Sequence, residues 1–470
     1  MKTQEKDFAV IPFASTLVKD KHLVSNMLGG WDILTKDEFR ELNSFALDKN
    51  SPLFKRLYEK KVLLSEDNLQ QIVSDFKRLN SNLFSDTSLH IAVVTTRCNL
   101  ICNYCQTKAL EPEDMSHEVA ARILKYIFDV KNNSVTLEFQ GGEPLLNWEV
   151  LAFTIEHARK FNTHKDLKIT IVTNLTLMDE EKMKFLADFD VEICTSLDGP
   201  AHIHNMNRVL TNGKGTYDEV IKKISKLKKK FGKRVNLLPT ITKYSLKHFK
   251  EIIDEYVRRG ETNFPIRPVN KLGVACSNWK NLGYSPEEFN SFYKNSMDYI
   301  LELNKKGVFI RERLAGVILD KVLNKHDPGY VELMSPCGAG RSTIAYMPDG
   351  SCYPCDEARM VGEKMFKLGN ILNESYEDLM KKENLLHLLE ASLVNLWDYN
   401  SAFSPWIGTC PVVNYALQKN IVPQIHCSYM HKIYNFQFTY IFEKIIEGGE
   451  NFEIFKKWVK KERQNEEKKR

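Results

Sequence analysis

The sequence predicts an α/β protein: a partial (β/α)6 barrel with an N-terminal winged-helix-like domain and a C-terminal extension. Three observations predict it. Between about residues 88 and 300, six apolar strand-like segments alternate with helical patterns, and such alternation implies a parallel sheet. Residues of distinctive chemistry end the first four of these segments, which suits a barrel better than a doubly wound sheet. The first 85 or so residues carry no cysteine, and the stretch from about 330 to 435 carries cysteines with little regular period. Neither belongs to the alternation.

In chain order, short strands are expected at Phe8–Phe13, Leu17–Ser25 and Trp31–Leu34, then a helix capped by Thr35 ahead of Lys36-Asp37-Glu38. An amphipathic segment follows at Ser51–Lys61. The barrel strands are expected at Leu89–Thr96, Val135–Gly142, Leu167–Asn174, Glu192–Gly199, Val235–Thr242 and Asn263–Asn270. The helices between them are His117–Lys131, Glu149–Phe161, Asp179–Asp188, Tyr217–Phe231 and Leu246–Arg259. An apolar helix-like segment, Phe436–Ile446, precedes a charged tail, Lys456–Arg470, read as a solvated helix or disorder. Domain boundaries are placed at 1–85, 86–305, 306–440 and 441–470.

A chain of 470 residues, 43% hydrophobic and 27% charged, can bury a large core and reads as soluble and globular. A net charge of +5 gives no argument for a nucleic-acid partner, and the basic run Lys222–Arg234 reads as a solvated helix face. The N-terminal residues lack a signal-peptide apolar region, and no apolar run is long enough to span a bilayer. A cytoplasmic protein with no membrane or nucleic-acid partner is therefore expected. Ten cysteines in such a compartment favour metal binding, catalysis or buried thiols over disulfides.

Cys98, Cys102 and Cys105 form a CxxxCxxC loop after the first strand. Three thiolates so placed can hold three irons of a [4Fe–4S] cluster and leave the fourth iron open. A zinc site needs a fourth Cys or His nearby, and the loop has none. Gly141-Gly142-Glu143-Pro144 ends the next strand, where glycines expose backbone acceptors and a carboxylate can receive an ammonium. Together these motifs resemble the radical S-adenosylmethionine (radical SAM) enzymes. The resemblance implies a radical SAM barrel in which the cysteine loop binds the cluster, with Arg97 and Tyr104 also fitting the family. It implies that the methionine moiety of SAM caps the open iron beside Gly141, Gly142, Glu143 and Pro144. Asn174 and the Ser196–Asp198 turn would lie near the SAM ribose, and Arg208 near the SAM carboxylate. Structural roles remain open for Asn174, Ser196 and Arg208. His202 and His204 read as turn and packing residues, and Cys194 as core.

Cys337, Gly350 and Cys355 have the spacing of the SPASM extension of peptide-modifying radical SAM enzymes, as do Tyr353-Pro354-Cys355-Asp356 and Leu368-Gly369-Asn370-Ile371. The downstream CxxCxxxxxCxx(x)C keeps only its last member, Cys410; its other positions fall on Asp398, Ser401 and Ile407. Cys427 survives further on. The pattern implies at most one auxiliary iron–sulfur cluster, held by Cys337, Cys355 and Cys410. Cys352 or Cys276 is available to complete it, Asp398 is a weaker choice, and buried thiols without a cluster are the alternative.

Asp356-Glu357-Ala358-Arg359-Met360, Thr409–Ala416 and Tyr440–Glu443 resemble the B-type radical SAM maturase of His-Xaa-Ser peptide systems over nearly the whole chain. The resemblance implies a precursor peptide as substrate, its leader held by the N-terminal domain through strand addition. It implies a 5′-deoxyadenosyl radical, an electron donor such as flavodoxin or ferredoxin, and an oxidative crosslink such as a cyclophane or thioether. Asp356, directly after Cys355, resembles the base carboxylate of sulfatase-maturing relatives, and an ordinary polar residue beside a cluster is the alternative. Two rivals stand beside it: a formylglycine-forming enzyme like the anaerobic sulfatase maturases, and a non-catalytic, cluster-bearing partner that positions a precursor.

Overall fold

The computed structural model describes residues 8–80, 85–107, 111–326, 328–393, 401–422 and 428–467, with side chains to 460. The N-terminal unit holds a three-stranded antiparallel sheet, Ala14–Val18, Lys21–Ser25 and Trp31–Leu34 in that order. The expected strand Leu17–Ser25 is thus a hairpin corner, because Lys19 takes a left-handed φ of 55° and reverses the chain. Phe8–Phe13 forms only a two-residue strand, Ala9–Val10, paired with Leu63–Leu64. Thr35 caps the helix Lys36–Asn43 in a reciprocal box with Glu38, and Ser51 caps Pro52–Glu59. A third helix is Glu66–Leu79. Val24, Leu34, Leu42, Leu53, Leu57 and Leu63 give this unit a core of its own.

Five barrel strands lie side by side and parallel in chain order: Leu89–Thr95, Ser134–Gly141, Asp166–Val172, Glu192–Ser196 and Val235–Leu238. Their alternation explains the wall. Val135, Leu137 and Phe139 are buried among the core side chains, while Glu138 and Gln140 take the opposite face; Ile193 and Cys194 divide in the same way. Four of the intervening helices are His117–Asp129, Trp148–Phe161, Glu180–Asp188 and Tyr217–Phe231; the fifth, Phe249–Arg258, starts three residues later than expected.

The sixth strand departs from expectation. Only Asn263–Phe264 is extended, and it pairs with Arg311–Glu312 in a separate small sheet. It joins the fifth strand's segment by the single bridge Ile241 to Pro268. Pro265 and Pro268 remove two backbone donors from this stretch, so a continuous ladder cannot form. The C-terminal extension supplies the other edge: Thr343–Tyr346 runs parallel to the first barrel strand, followed by antiparallel Ser351–Tyr353 and Gly369–Asn370.

Helices Pro286–Lys305, Arg313–Asn324, Tyr429–Glu447 and Gly449–Glu467 pack against one another. The third of them runs through the expected 440/441 boundary. The charged tail is docked rather than solvated at its start: Phe455 and Trp458 are fully buried, and the Trp458 indole N–H donates to Asn304 at 3.4 Å. Among the described residues no helix is long and apolar enough to cross a membrane.

His90 on the first barrel strand is buried and bonded to the Tyr346 hydroxyl at 2.8 Å across the junction with the extension. Burial holds its pKa down to about 3, and that of buried His204 likewise, against an ordinary value of 6.5. The unfolded chain then binds more protons between pH 6.5 and 3, so stability rises with pH in that window. Acidification below pH 6.5 should lower unfolding free energy by about 1.4 kcal/mol per pH unit for each histidine. Urea melts at pH 7.0 and 5.5 check this; equal midpoints would contradict it.

Candidate active site

The cysteine loop leaves the first barrel strand and is held from both sides. Leu100–Cys102 pairs antiparallel with Arg208–Leu210, which sets Arg208 opposite Cys102. The Asn103 amide nitrogens donate to Asn207 and Met206 carbonyls at 3.1 and 3.0 Å. From the far side, Ala275 N–H donates to the Cys105 carbonyl at 3.2 Å. The thiols are near enough to act on one another: burial first, then Glu143 and the Cys105 thiol, raise Cys98, and burial pushes Cys102 up to about 11 against the pull of Arg208.

Gly141 and Gly142 are required by close approach. A Cβ on Gly141 would lie 2.3 Å from the Thr95 carbonyl oxygen, and one on Gly142 would lie 2.2 Å from that of Arg97. The second strand therefore seats its end directly on the root of the cysteine loop, with Gly142 and Glu143 N–H donating to Thr95 and Arg97. Gly142→Ala should destabilise the fold by about 1–3 kcal/mol and loosen the loop. Denaturant melts and metal retention on desalting check it; a wild-type midpoint would contradict the crowding.

The Glu143 carboxylate is buried and accepts from Thr173 Oγ1 (2.6 Å), Asn174 N–H (2.7 Å) and Leu145 N–H (3.1 Å). Burial raises its pKa, and these donors and Arg208 oppose the rise. Pro144 starts the 3-10 turn behind it. Asn174 turns toward the loop: its Nδ2 donates to Asn99 Oδ1 at 2.9 Å, and its Oδ1 caps Thr176. Tyr104, Asp198 and Arg208 form one network. The Tyr104 hydroxyl donates to Asp198 at 2.9 Å and accepts from Arg208 at 2.8 Å. Asp198 also accepts from Asn207 Nδ2 and Thr240 N–H. Tyr104 and Asp198 are buried and spend these polar atoms on protein partners, while Arg208 and Ser196 are half-buried at the rim. His204 is a packing residue, bonded to Asp198 N–H and Thr216. Exposed His202 sits 3.4 Å from Glu251.

The structure also brings Cys337, Cys355 and Cys410 together. They line one cavity with Glu332, Glu357, Thr409, His431 and Tyr434. Burial pushes all three thiols upward, and Cys337 and Cys410 add to the rise at Cys355. The other cysteines lie elsewhere. Cys352 is buried in the main core beside Tyr346 and Leu368, and Cys276 is exposed in the Gly273–Ser277 helix that touches the barrel's cysteine loop. Neither completes the C-terminal trio. Cys427 and Asp398 lie outside the described residues.

From Asp356, next to the C-terminal cysteines, a polar chain that spacing alone did not reveal runs to the barrel wall. Asp356 accepts from Arg359 Nε at 2.7 Å, Arg359 Nη2 donates to Gln140 Oε1 at 2.6 Å, and Gln140 Nε2 donates to Glu138 at 2.6 Å. Thr170 closes it on the far oxygen of Glu138 at 3.1 Å. Cys194 lies on this polar face, not in the apolar core; burial raises its pKa to about 12, with Glu138 adding to the rise and Arg267 and Arg313 opposing it. Nothing in the sequence pairs residues 138 and 140 with 356 and 359; only the sheet's closure does.

Comparison with known proteins agrees with this geometry. The model of the radical SAM superfamily matches residues 92–256. The cysteine-type anaerobic sulfatase-maturating enzyme of Clostridium perfringens is 32% identical over 311 residues, covering 63% of this chain and 80% of that enzyme. Among solved structures, native anSMEcpe with bound AdoMet and the Kp18Cys peptide superposes with a TM-score of 0.64 at 23% identity, covering 76% of this chain and 98% of that one. Streptococcus suis SuiB bound to its precursor peptide SuiA gives 0.54 at 15% identity, covering 87% and 96%.

Proposed function

We propose that peptide modification is the task of this chain, which belongs to the radical SAM superfamily. It is an enzyme, and its cofactors are a [4Fe–4S] cluster and S-adenosylmethionine. The residues present fit them: three thiols on one loop, a glycine ledge with no room for a side chain, and the cation of Arg208 beside Cys102. When bound, this pair supplies a 5′-deoxyadenosyl radical able to take hydrogen from an unactivated C–H bond. Cys98, Cys102 and Cys105 would hold the iron; Gly141, Gly142, Glu143, Pro144, Asn174, Ser196 and Arg208 would shape the SAM pocket. Tyr104 and Asp198 hold the loop and Arg208 in place.

The observation that carries the peptide reading is the chain Asp356–Arg359–Gln140–Glu138, which joins the cysteine-rich extension to the polar interior of the barrel. An oxidative modification must lose a proton as well as electrons, and we assign Asp356 to take it. Cys337, Cys355 and Cys410 would hold one auxiliary cluster able to receive an electron. The N-terminal sheet, with its own core and two edge strands, suits a precursor's leader added as a further strand. We assign the substrate to a ribosomally made precursor and the outcome to a crosslink such as a cyclophane or thioether, as in the B-type maturases of His-Xaa-Ser systems. A flavodoxin or ferredoxin would be the reductant, and a reducing cytoplasm suits this thiol content.

The Clostridium perfringens relative favours a second reading, formylglycine formation on a sulfatase. One experiment separates the readings. Reconstituted, reduced enzyme is offered SAM with either a precursor encoded beside its gene or a sulfatase-derived cysteine peptide. Loss of two hydrogens from the precursor supports crosslinking; an aldehyde on the sulfatase peptide supports maturation. Absence of deoxyadenosine with both would leave only the non-catalytic partner role.

A further inference from the structure

We propose that Glu357 supplies the fourth ligand, a carboxylate oxygen, to the iron–sulfur cluster that Cys337, Cys355 and Cys410 would hold. This rests on the auxiliary-cluster reading above and goes beyond it. A cluster of four irons needs four protein donors unless one iron is left open, and the chain brings only three thiols to this cavity among its described residues.

The three thiols are set up as ligands. They come from separate segments: the loop at Cys337 and the N-caps of the helices Asp356–Val361 and Pro411–Gln418. Each sulfur accepts a backbone N–H, from Ala339, Ala358 (3.4 Å) and Val413 (3.5 Å) respectively. Such bonds stabilise the thiolate form that iron requires.

Two carboxylates line the cavity beside them, Glu332 and Glu357. Glu332 is already engaged, accepting from the Tyr434 hydroxyl at 2.6 Å and from Tyr330 at 3.3 Å. Glu357 faces the sulfurs. It lines the cavity with them and is the carboxylate within electrostatic reach of Cys337, Cys355 and Cys410 alike. Asp356 and Glu332, both acids, lie near it and add to the rise in its pKa. Three thiols and an acid converging on one cavity form a donor set for a cationic metal centre. His431 lines the same cavity and is the competing donor.

The test uses the full chain with Cys98, Cys102 and Cys105 changed to alanine, so that any iron belongs to the C-terminal site. Iron and sulfide are counted after anaerobic reconstitution, and EPR spectra are taken after reduction and after mild oxidation. The proposal expects about four irons in this background. Adding Glu357→Ala should lower the count to about three and give a three-iron signal on oxidation. Glu357→Cys should restore about four, with a changed reduced-state spectrum. An iron count and spectrum unmoved by Glu357→Ala would overturn Glu357 as ligand while leaving the cluster standing. Loss of one iron in His431→Ala but not in Glu357→Ala would hand the position to His431. An iron-free background protein would overturn the auxiliary cluster itself, and Glu357 ligation with it.

Discussion

Alanine at Cys98, Cys102 and Cys105 together should remove about four irons per chain and bring deoxyadenosine formation from SAM down to the level of free reductant. The loop does nothing else that would survive the change. Its backbone is fixed by Arg208–Leu210 on one side and by the Gly273–Ser277 helix on the other, so the fold should persist without the thiols. The thiols themselves gain little from the protein: burial raises Cys98 and carries Cys102 to about 11, so at neutral pH the metal-free thiol form of both is protonated. Iron must displace those protons, and binding therefore releases them. Reconstitution should accordingly be more complete at pH 8 than at pH 6. Full SAM cleavage by the triple variant, with no iron lost relative to the parent protein, would place the SAM cluster elsewhere.

How far this was legible in the sequence depended on whether position along the chain fixed position in space. The first five barrel strands and their helices could be read from their apolar runs, continuous in the first strand at Ile91–Val94 and alternating in the second, where Val135, Leu137 and Phe139 alternate with Glu138 and Gln140. The sixth could not: Asn263–Asn270 has a strand's apolarity, but Pro265 and Pro268 take away its donors. The tail is a helix, but its start is docked and not solvated, because Trp458 and Val459 are buried among charges that outnumber them. At the site, the cysteine loop and Gly141–Pro144 declare themselves by spacing. Asn99 and Thr173 do not, since each acts through a neighbour: Asn99 receives Asn174, and Thr173 steadies Glu143. Cys352 and Cys276 looked equally able to complete the C-terminal trio. Strand pairing buries Cys352 in the main core, and the Gly273–Ser277 helix holds Cys276 at the opposite cysteine site.

Asp356→Asn should leave SAM cleavage intact while lowering modified peptide by about 10²–10⁴-fold. Radical formation depends on the barrel's cysteine loop, which Asp356 does not touch; proton removal from the substrate depends on a carboxylate near the radical's target. Asp356 follows Cys355 directly, and its oxygen is fixed by the buried fork of Arg359, whose other nitrogen is tied to Gln140 on the second barrel strand. The asparagine is isosteric and keeps an acceptor for Arg359, so a fall in product would report the lost base, not a lost position. Deoxyadenosine without matching product is the signature. Arg359→Lys then separates positioning from chemistry. Lysine keeps the charge but cannot bridge Asp356 and Gln140 with one planar group, so product should fall by a smaller factor than in Asp356→Asn. Full product formation by Asp356→Asn, with loss in Glu138→Gln instead, would move the base three hydrogen bonds along the same chain to the barrel wall.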